Sequence, residues 1–136
     1  MATLAAIRAG LRTRLATLAG VHVYDEWPDR ITPPACLIRL PRAEHQLTFG
    51  ADMSRISGEV HTVVSLKGGL ANAERALEPY ISNSGAASVL LALDGDRYLN
   101  NTINYLLIQG WRDYDTVDIG GAEYLDAVLD WEAYTR

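Results

Sequence analysis

The chain has 136 residues, of which 49% are hydrophobic and 21% are charged; this length is typical of one domain and the composition excludes an extensively disordered chain. The longest apolar run, from Val89 to Leu93, is far shorter than the ~20 residues that a membrane-spanning helix needs. The formal net charge of −5 disfavours non-specific binding to nucleic acid, which requires clustered basic side chains.

The first part of the chain predicts a helix followed by strands. Apolar residues at three- and four-residue spacing predict an amphipathic helix over residues 4–18, with Thr3 as its N-cap and Gly20 at its end. Residues 21–27 predict a short strand that Pro28 interrupts. Residues 35–40 predict an apolar strand that ends before the next proline.

The middle of the chain predicts two more strands and two helices. The strands are predicted over residues 43–49 and 55–66, and strict alternation in the second indicates one buried face and one face in contact with water. The residues on that polar face are Arg55, Ser57, Glu59, His61 and Ser65. A helix is predicted over residues 70–81, and a shorter one around residues 88–93.

The last third predicts a long β-hairpin. Residues 103–114 form its first arm, and Gly120-Gly121 lies in the turn region. The return arm alternates between an apolar face and a polar face with Asp126, Asp130 and Glu132. The predicted fold is α+β in one domain over residues 1–136: a mostly antiparallel sheet with an N-terminal helix and a second helical segment packed on it.

No residue pattern predicts a catalytic, cofactor or metal site. His22, His45 and His61 lie on separate predicted strands, and their spacing matches no local metal-binding pattern. Cys36 is the only cysteine, which excludes an internal disulfide, and its apolar neighbours indicate an inert core thiol. These features indicate a small cytosolic domain that binds rather than reacts. The open alternative is a small enzyme whose site combines one of these histidines with an aspartate from another strand.

The segment between the two middle strands is a candidate binding surface. It places Phe49, the only phenylalanine, and Met53 near a hairpin tip, with Asp52 beside them. Large apolar side chains at a tip often anchor a partner, although packing back onto the sheet is an alternative.

Six segments in order carry a family resemblance: LAAIRAGLRTRLATLAGVHVYD, PDRITPPACLIRLP, LTFGADMS, VVSLKGG, PYISNSGAASVLLAL and YDTVDIGGAEYLDAVLDWEA. Together they span nearly the whole chain, and their order resembles the tail terminator proteins of long-tailed, siphovirus-type bacteriophages that infect actinobacteria. None of the segments is a chemical motif, so the resemblance depends on the set and its order.

The resemblance implies a virion structural protein without a cofactor or an enzymatic activity. Such a protein assembles in the host cytoplasm into a homohexameric ring at the junction of tail and neck. The ring caps the tail tube, stops polymerisation of the tube protein and joins the tail to the head-closure protein of the neck. Genomic DNA passes through its lumen without specific binding, and no membrane is involved. The nearest alternative is another head–tail connector, either a head-closure or an adaptor protein.

The distribution of charge fits a ring of identical subunits. Up to Gly68 the chain has eight basic and six acidic residues, and beyond it four basic and eleven acidic residues. In a ring, one face of each copy meets a different face of the next, so we expect Arg12 or Arg55 to contact acids of the second half. We expect the hairpin tip to contact the tube or the neck, and Asp126 and Asp130 to contribute to an acidic lumen that repels DNA phosphate.

Overall fold

Three helices and five strands form the part of the chain that the structure, a computed structural model, describes. That part is residues 4–45, 54–99 and 101–135, with the backbone alone for residues 40–45, 54 and 113. In chain order the elements are α1 (Leu4–Leu15), β1 (His22–Tyr24), β2 (Ala35–His45), β3 (Ser54–Ser65), α2 (Leu70–Ile81), α3 (Val89–Asp94), β4 (Tyr105–Ile119) and β5 (Ala122–Thr135).

The five strands form one sheet in the order β1-β2-β3-β5-β4. All neighbours are antiparallel except β1 and β2, which run parallel. Gly120 and Gly121 connect β4 to β5 and both have a positive φ, of 64° and 85°, as tight hairpin turns require. The predicted α+β fold with a mostly antiparallel sheet is confirmed.

The main core lies between the helices and one face of the sheet. α1 packs against β1 and β2, α2 packs against β3 and β5, and α3 packs against both helices and β4. Ile7, Leu11 and Leu15 are fully buried along one side of α1, as the three- and four-residue spacing predicts. Trp131 is the largest fully buried side chain. Its ring lies against Gly58 on β3, where a Cβ atom would overlap it.

None of the three described helices packs on the opposite face of the sheet, which is called the outer face below. Its polar residues were expected to be in contact with water, and for part of the face this prediction is wrong. The loop formed by residues 25–34 covers it and contributes Ile31 to a second apolar cluster with Leu37 and Val63. As a result Val63 is fully buried and His61 is only 8% exposed.

The predicted break at Pro41 and the predicted end of the first helix also differ from the structure. The strand predicted over 35–40 and the first three residues of the strand predicted over 43–49 belong to one strand, β2, which runs through Pro41. Residues 46–49 lie outside the described part of the chain. Its register against β3 shifts between Arg39 and Arg42, and such an irregularity accommodates a proline that cannot donate a ladder hydrogen bond. α1 ends at Leu15 and is followed by turns. None of the helices in the described ranges combines the length and the apolar character that crossing a bilayer requires.

Candidate functional site

A cluster of charged side chains lies on the outer face, across the three strands β3, β5 and β4. Its members, called the charged cluster below, are Glu59, His61, Arg112, Asp126 and Asp130. Alternate residues of a strand point to the same face, so Glu59 and His61 project together from β3 and the two aspartates project together from β5. The register aligns Glu59 with Asp130 and His61 with Val128, which places the side chains of neighbouring strands within reach of each other.

His61 lies at the centre of the charged cluster, between two carboxylates. Its Nδ1 is 2.7 Å from Oδ2 of Asp126 and its Nε2 is 3.0 Å from Oε1 of Glu59. Both ring nitrogens donate in this arrangement when the ring is an imidazolium. Burial disfavours that charged form, but the hydrogen bonds and charges of Asp126 and Glu59 outweigh burial and raise the pKa of His61 above its ordinary 6.5.

Arg112 connects the third strand to the charged cluster. Its Nη2 donates to Oε2 of Glu59, and its Nε donates to Oδ2 of Asp130 at 2.6 Å. Burial of Glu59 favours its neutral form, but hydrogen bonds and charges from His61 and Arg112 outweigh burial and lower the pKa of Glu59 below 4.5. His61 and Arg112 thus hold three acids of β3 and β5, and Arg112 joins β4 to them.

The loop of residues 25–34 closes over one side of the charged cluster through Trp27. The ring of Trp27 meets His61 edge-on, with 5.3 Å between the ring centroids, and the guanidinium of Arg39 lies 5.0 Å from the Trp27 centroid on the ring face. The same loop touches the β4–β5 turn, where a Cβ atom at Gly120 would overlap the carbonyl oxygen of Asp29. The loop is therefore held both at the charged cluster and at the β4–β5 turn.

The side chains of the charged cluster hold neighbouring strands together. Both nitrogens of His61 are engaged with carboxylates, so an imidazolium in this position has no lone pair to accept a proton or to bind a metal ion. Within residues 4–45, 54–99 and 101–135, no group of three or more His, Cys, Asp and Glu side chains is arranged to hold a metal ion. His22 is exposed on β1, and the side chain of His45 lies outside the described part of the chain. Of the histidine–aspartate pairs considered for an enzyme site, the structure forms His61 with Asp126.

The predicted interface residues fall into two groups. Phe49, Asp52 and Met53 lie outside the described residues, so their assignment stays a prediction. Arg12 is exposed on α1, and its Nη1 lies 3.4 Å from a carboxylate oxygen of Asp25.

The other three predicted interface residues have partners within the chain. Arg55 projects from the outer face of β3, where it hydrogen-bonds to Tyr134 of β5. Asp126 is 8% exposed and is bonded to His61, and Asp130 is bonded to Arg112. The prediction that Asp126 and Asp130 face a lumen stays a prediction, and reversing either charge would also break the charged cluster.

Sequence analysis did not identify Glu59, Arg112 or Trp27 as parts of this site. The available signal was the spacing of Glu59 and His61, which puts an acid and a base on one face of a strand. No family model matches the chain, and a search of the curated proteins also finds no match. The observations that bear on function are therefore the order of the sequence segments, the fold and the distribution of charge.

Proposed function

We propose that this chain is the subunit of a phage tail-terminator ring. Six copies cap the finished tail tube, stop its polymerisation and join the tail to the head-closure protein of the neck. Genomic DNA passes through the lumen without specific binding. The proposal is supported by the ordered segment resemblance over nearly the whole chain.

The long closing hairpin is the structural observation that most favours an assembly role. β4 has 15 residues and forms one edge of the sheet. Such a long edge presents a row of backbone donors and acceptors that proteins normally cover. β4 itself carries three aspartates and one arginine. A long, strongly charged edge is suited to contact with another subunit.

The charged cluster is also consistent with a structural role. It links three strands through ion pairs, with His61 between two acids and Arg112 between two acids, and Trp27 of the loop packs on His61. A subunit that carries load between a tail and a filled head benefits from a rigid sheet. Such rigidity suits a terminator and any other connector of the neck alike.

Deletion of the gene tests the proposal. Negative-stain microscopy of lysates from the deletion phage should show overlong tails of variable length that are not attached to filled heads, because a cap determines where polymerisation stops. Supplying the wild-type gene on a plasmid should restore a single tail length. Tails of normal length beside empty heads would instead assign the protein to the head side of the neck. Normal virions would reject both roles.

A further inference from the structure

The two edges of the sheet differ in both length and charge. The strand order places β1, with three residues, at one edge and β4, with 15 residues, at the other. α1 packs over β1 and β2, so it lies toward the edge opposite β4. Its twelve residues include three arginines and no acid, whereas β4 has three aspartates and one arginine. The protein therefore has a basic end and an acidic end.

The basic end carries two arginines on the same side of α1. Arg8 and Arg12 are four residues apart and so share one side of α1, where Arg12 approaches Asp25 next to β1. Arg14 points away from this side and donates to the carbonyl oxygen of Ala92. Among the described residues, Nε of Arg8 is buried and has no hydrogen-bond partner.

The acidic end is unsuited to simple strand addition. Within the described strands β4 pairs with β5 alone, so its other side is an edge. The β4–β5 register shifts after Ile108 and again after Arg112. Bulges and charged side chains disfavour a continuous ladder with another strand. A basic helix is a better neighbour for this edge, because its side chains can reach carboxylates without matching a backbone register.

We infer that the chain associates head to tail, with the β4 edge of one copy against the Arg8–Arg12 side of α1 in the next copy. This contact is heterologous, so an open assembly keeps one unpaired surface at each of its two termini until a ring closes. Apolar side chains at both ends add buried area: Leu107 and Tyr114 on β4 are 40% and 44% exposed, and Leu4 on α1 is 44% exposed. The inference deepens the proposed ring and rests on it for closure, while the pairwise contact is a property of the chain itself.

Charge reversal tests the contact in the purified chain. Arg12→Glu and Asp115→Arg each put like charges together, so sedimentation velocity at low ionic strength should show association weakened by about tenfold or more. The double variant restores opposite charges in each contact and should regain most of the wild-type affinity. Arg75→Glu makes the same charge change on the exposed side of α2 and should leave association unchanged. Thermal unfolding of each variant separates lost contact from lost fold.

Cross-linking tests the geometry of the same contact. Ala5 is exposed on α1 and Asp115 is exposed on β4. A mixture of the Ala5→Cys and Asp115→Cys variants should form disulfide-linked dimers under mild oxidation, and neither variant alone should do so. Dimers from one variant alone would reveal an isologous contact and overturn the inference.

The remaining outcomes separate this inference from the proposed function. A wild-type chain that stays monomeric at about 100 µM, a concentration at which a contact with a Kd of ~100 µM or tighter is substantially populated, would overturn the inference. So would association that neither charge reversal weakens. The head-to-tail contact together with normal tails in the deletion phage would retain the contact and reject the terminator role. Overlong tails in the deletion phage together with a monomeric purified chain would reject the contact and retain the terminator role.

Discussion

The carboxylate of Asp126 lies 2.7 Å from Nδ1 of His61 and joins β5 to β3 on the outer face of the sheet. Glu59 accepts from the other ring nitrogen, at 3.0 Å, and Trp27 covers the ring edge-on. One imidazole thus links two strands and the loop of residues 25–34. The stability of this part of the sheet should therefore depend on the protonation of His61.

His61→Gln should remove a pH-dependent part of the stability. Because the pKa of His61 is raised in the folded chain, its contribution is fully present below pH 6.5 and is lost as the pH rises through the raised value. Near pH 6 the variant should be less stable by about 1–3 kcal/mol, the usual cost of leaving a buried charged group without its partner. Urea unfolding of both proteins from about pH 5, which is below the ordinary histidine pKa, to about pH 10 measures the difference.

The control for this experiment is His22→Gln, since His22 is exposed on β1. Its stability should follow the wild-type profile at every pH. A constant gap between wild type and His61→Gln from acidic to alkaline pH would contradict an imidazolium at position 61.

Arg112→Lys should fail to replace the native side chain. Arg112 uses two different nitrogens for Glu59 and Asp130, and a lysine ammonium lacks the fork that reaches two carboxylates in fixed directions. Because Arg112 is partly exposed, we expect a loss of about 1 kcal/mol at low salt. The loss should shrink in ~1 M salt, which screens exposed charges.

Arg75→Lys on α2 is the matched substitution at an exposed arginine, and it should change the free energy of unfolding by less than about 0.5 kcal/mol. Equal stability of the Arg112→Lys variant and the wild type at low salt would show that bonding of Arg112 to both Glu59 and Asp130 contributes nothing to the free energy of unfolding.

Gly58→Ala should destabilise the core. The new Cβ atom would overlap the ring of Trp131 and would lie 2.7 Å from the carbonyl oxygen of Arg39. Because neither the buried ring nor the backbone can move freely, we expect a loss of about 1–3 kcal/mol in chemical unfolding, as is typical of overpacked cores. Gly68→Ala, which meets only the side chain of exposed Asn72, should be close to neutral. A neutral Gly58→Ala would mean that Trp131 has an alternative position.

Cys36 should react with thiol reagents only after unfolding. Burial raises the pKa of the Cys36 thiol to about 12 despite the nearby hydroxyl of Thr62, and the thiolate is the reactive form. In native buffer at a pH of about 8, near the ordinary thiol pKa, modification by an aromatic disulfide should follow the rate of unfolding. The exposed thiol of Ala5→Cys should react at once under the same conditions. Immediate modification of the wild-type chain would place Cys36 at the surface.

Local signals account for most of the elements that could be predicted. α2 has the predicted bounds, because its apolar periodicity starts directly after Gly68-Gly69 and tertiary contacts reinforce it. The closing hairpin was predicted from alternation and two glycines, and it is longer than expected because β4 continues to Ile119. The break predicted at Pro41 was wrong, since a register irregularity lets the strand continue past it.

The charged cluster could not be predicted in the same way. His61 and Asp126 are separated by 65 positions in the chain, and they meet only because β5 inserts between β3 and β4 in a specific register. Burial of His61 further depends on Trp27 from a loop with no regular structure. Strand order and loop placement are tertiary properties, and neither is visible in the alternation of a single strand.

The packing of Trp131 against Gly58 links the evolution of two positions that are far apart in the sequence. A glycine in the interior of a strand usually weakens the strand, because it has no side chain to pack. Here the glycine is tolerated because the indole of Trp131 occupies the space that its side chain would fill. In descendants of this gene, a larger residue at position 58 should therefore appear together with a smaller one at position 131. Either change alone would leave an overlap or a void in the middle of the sheet.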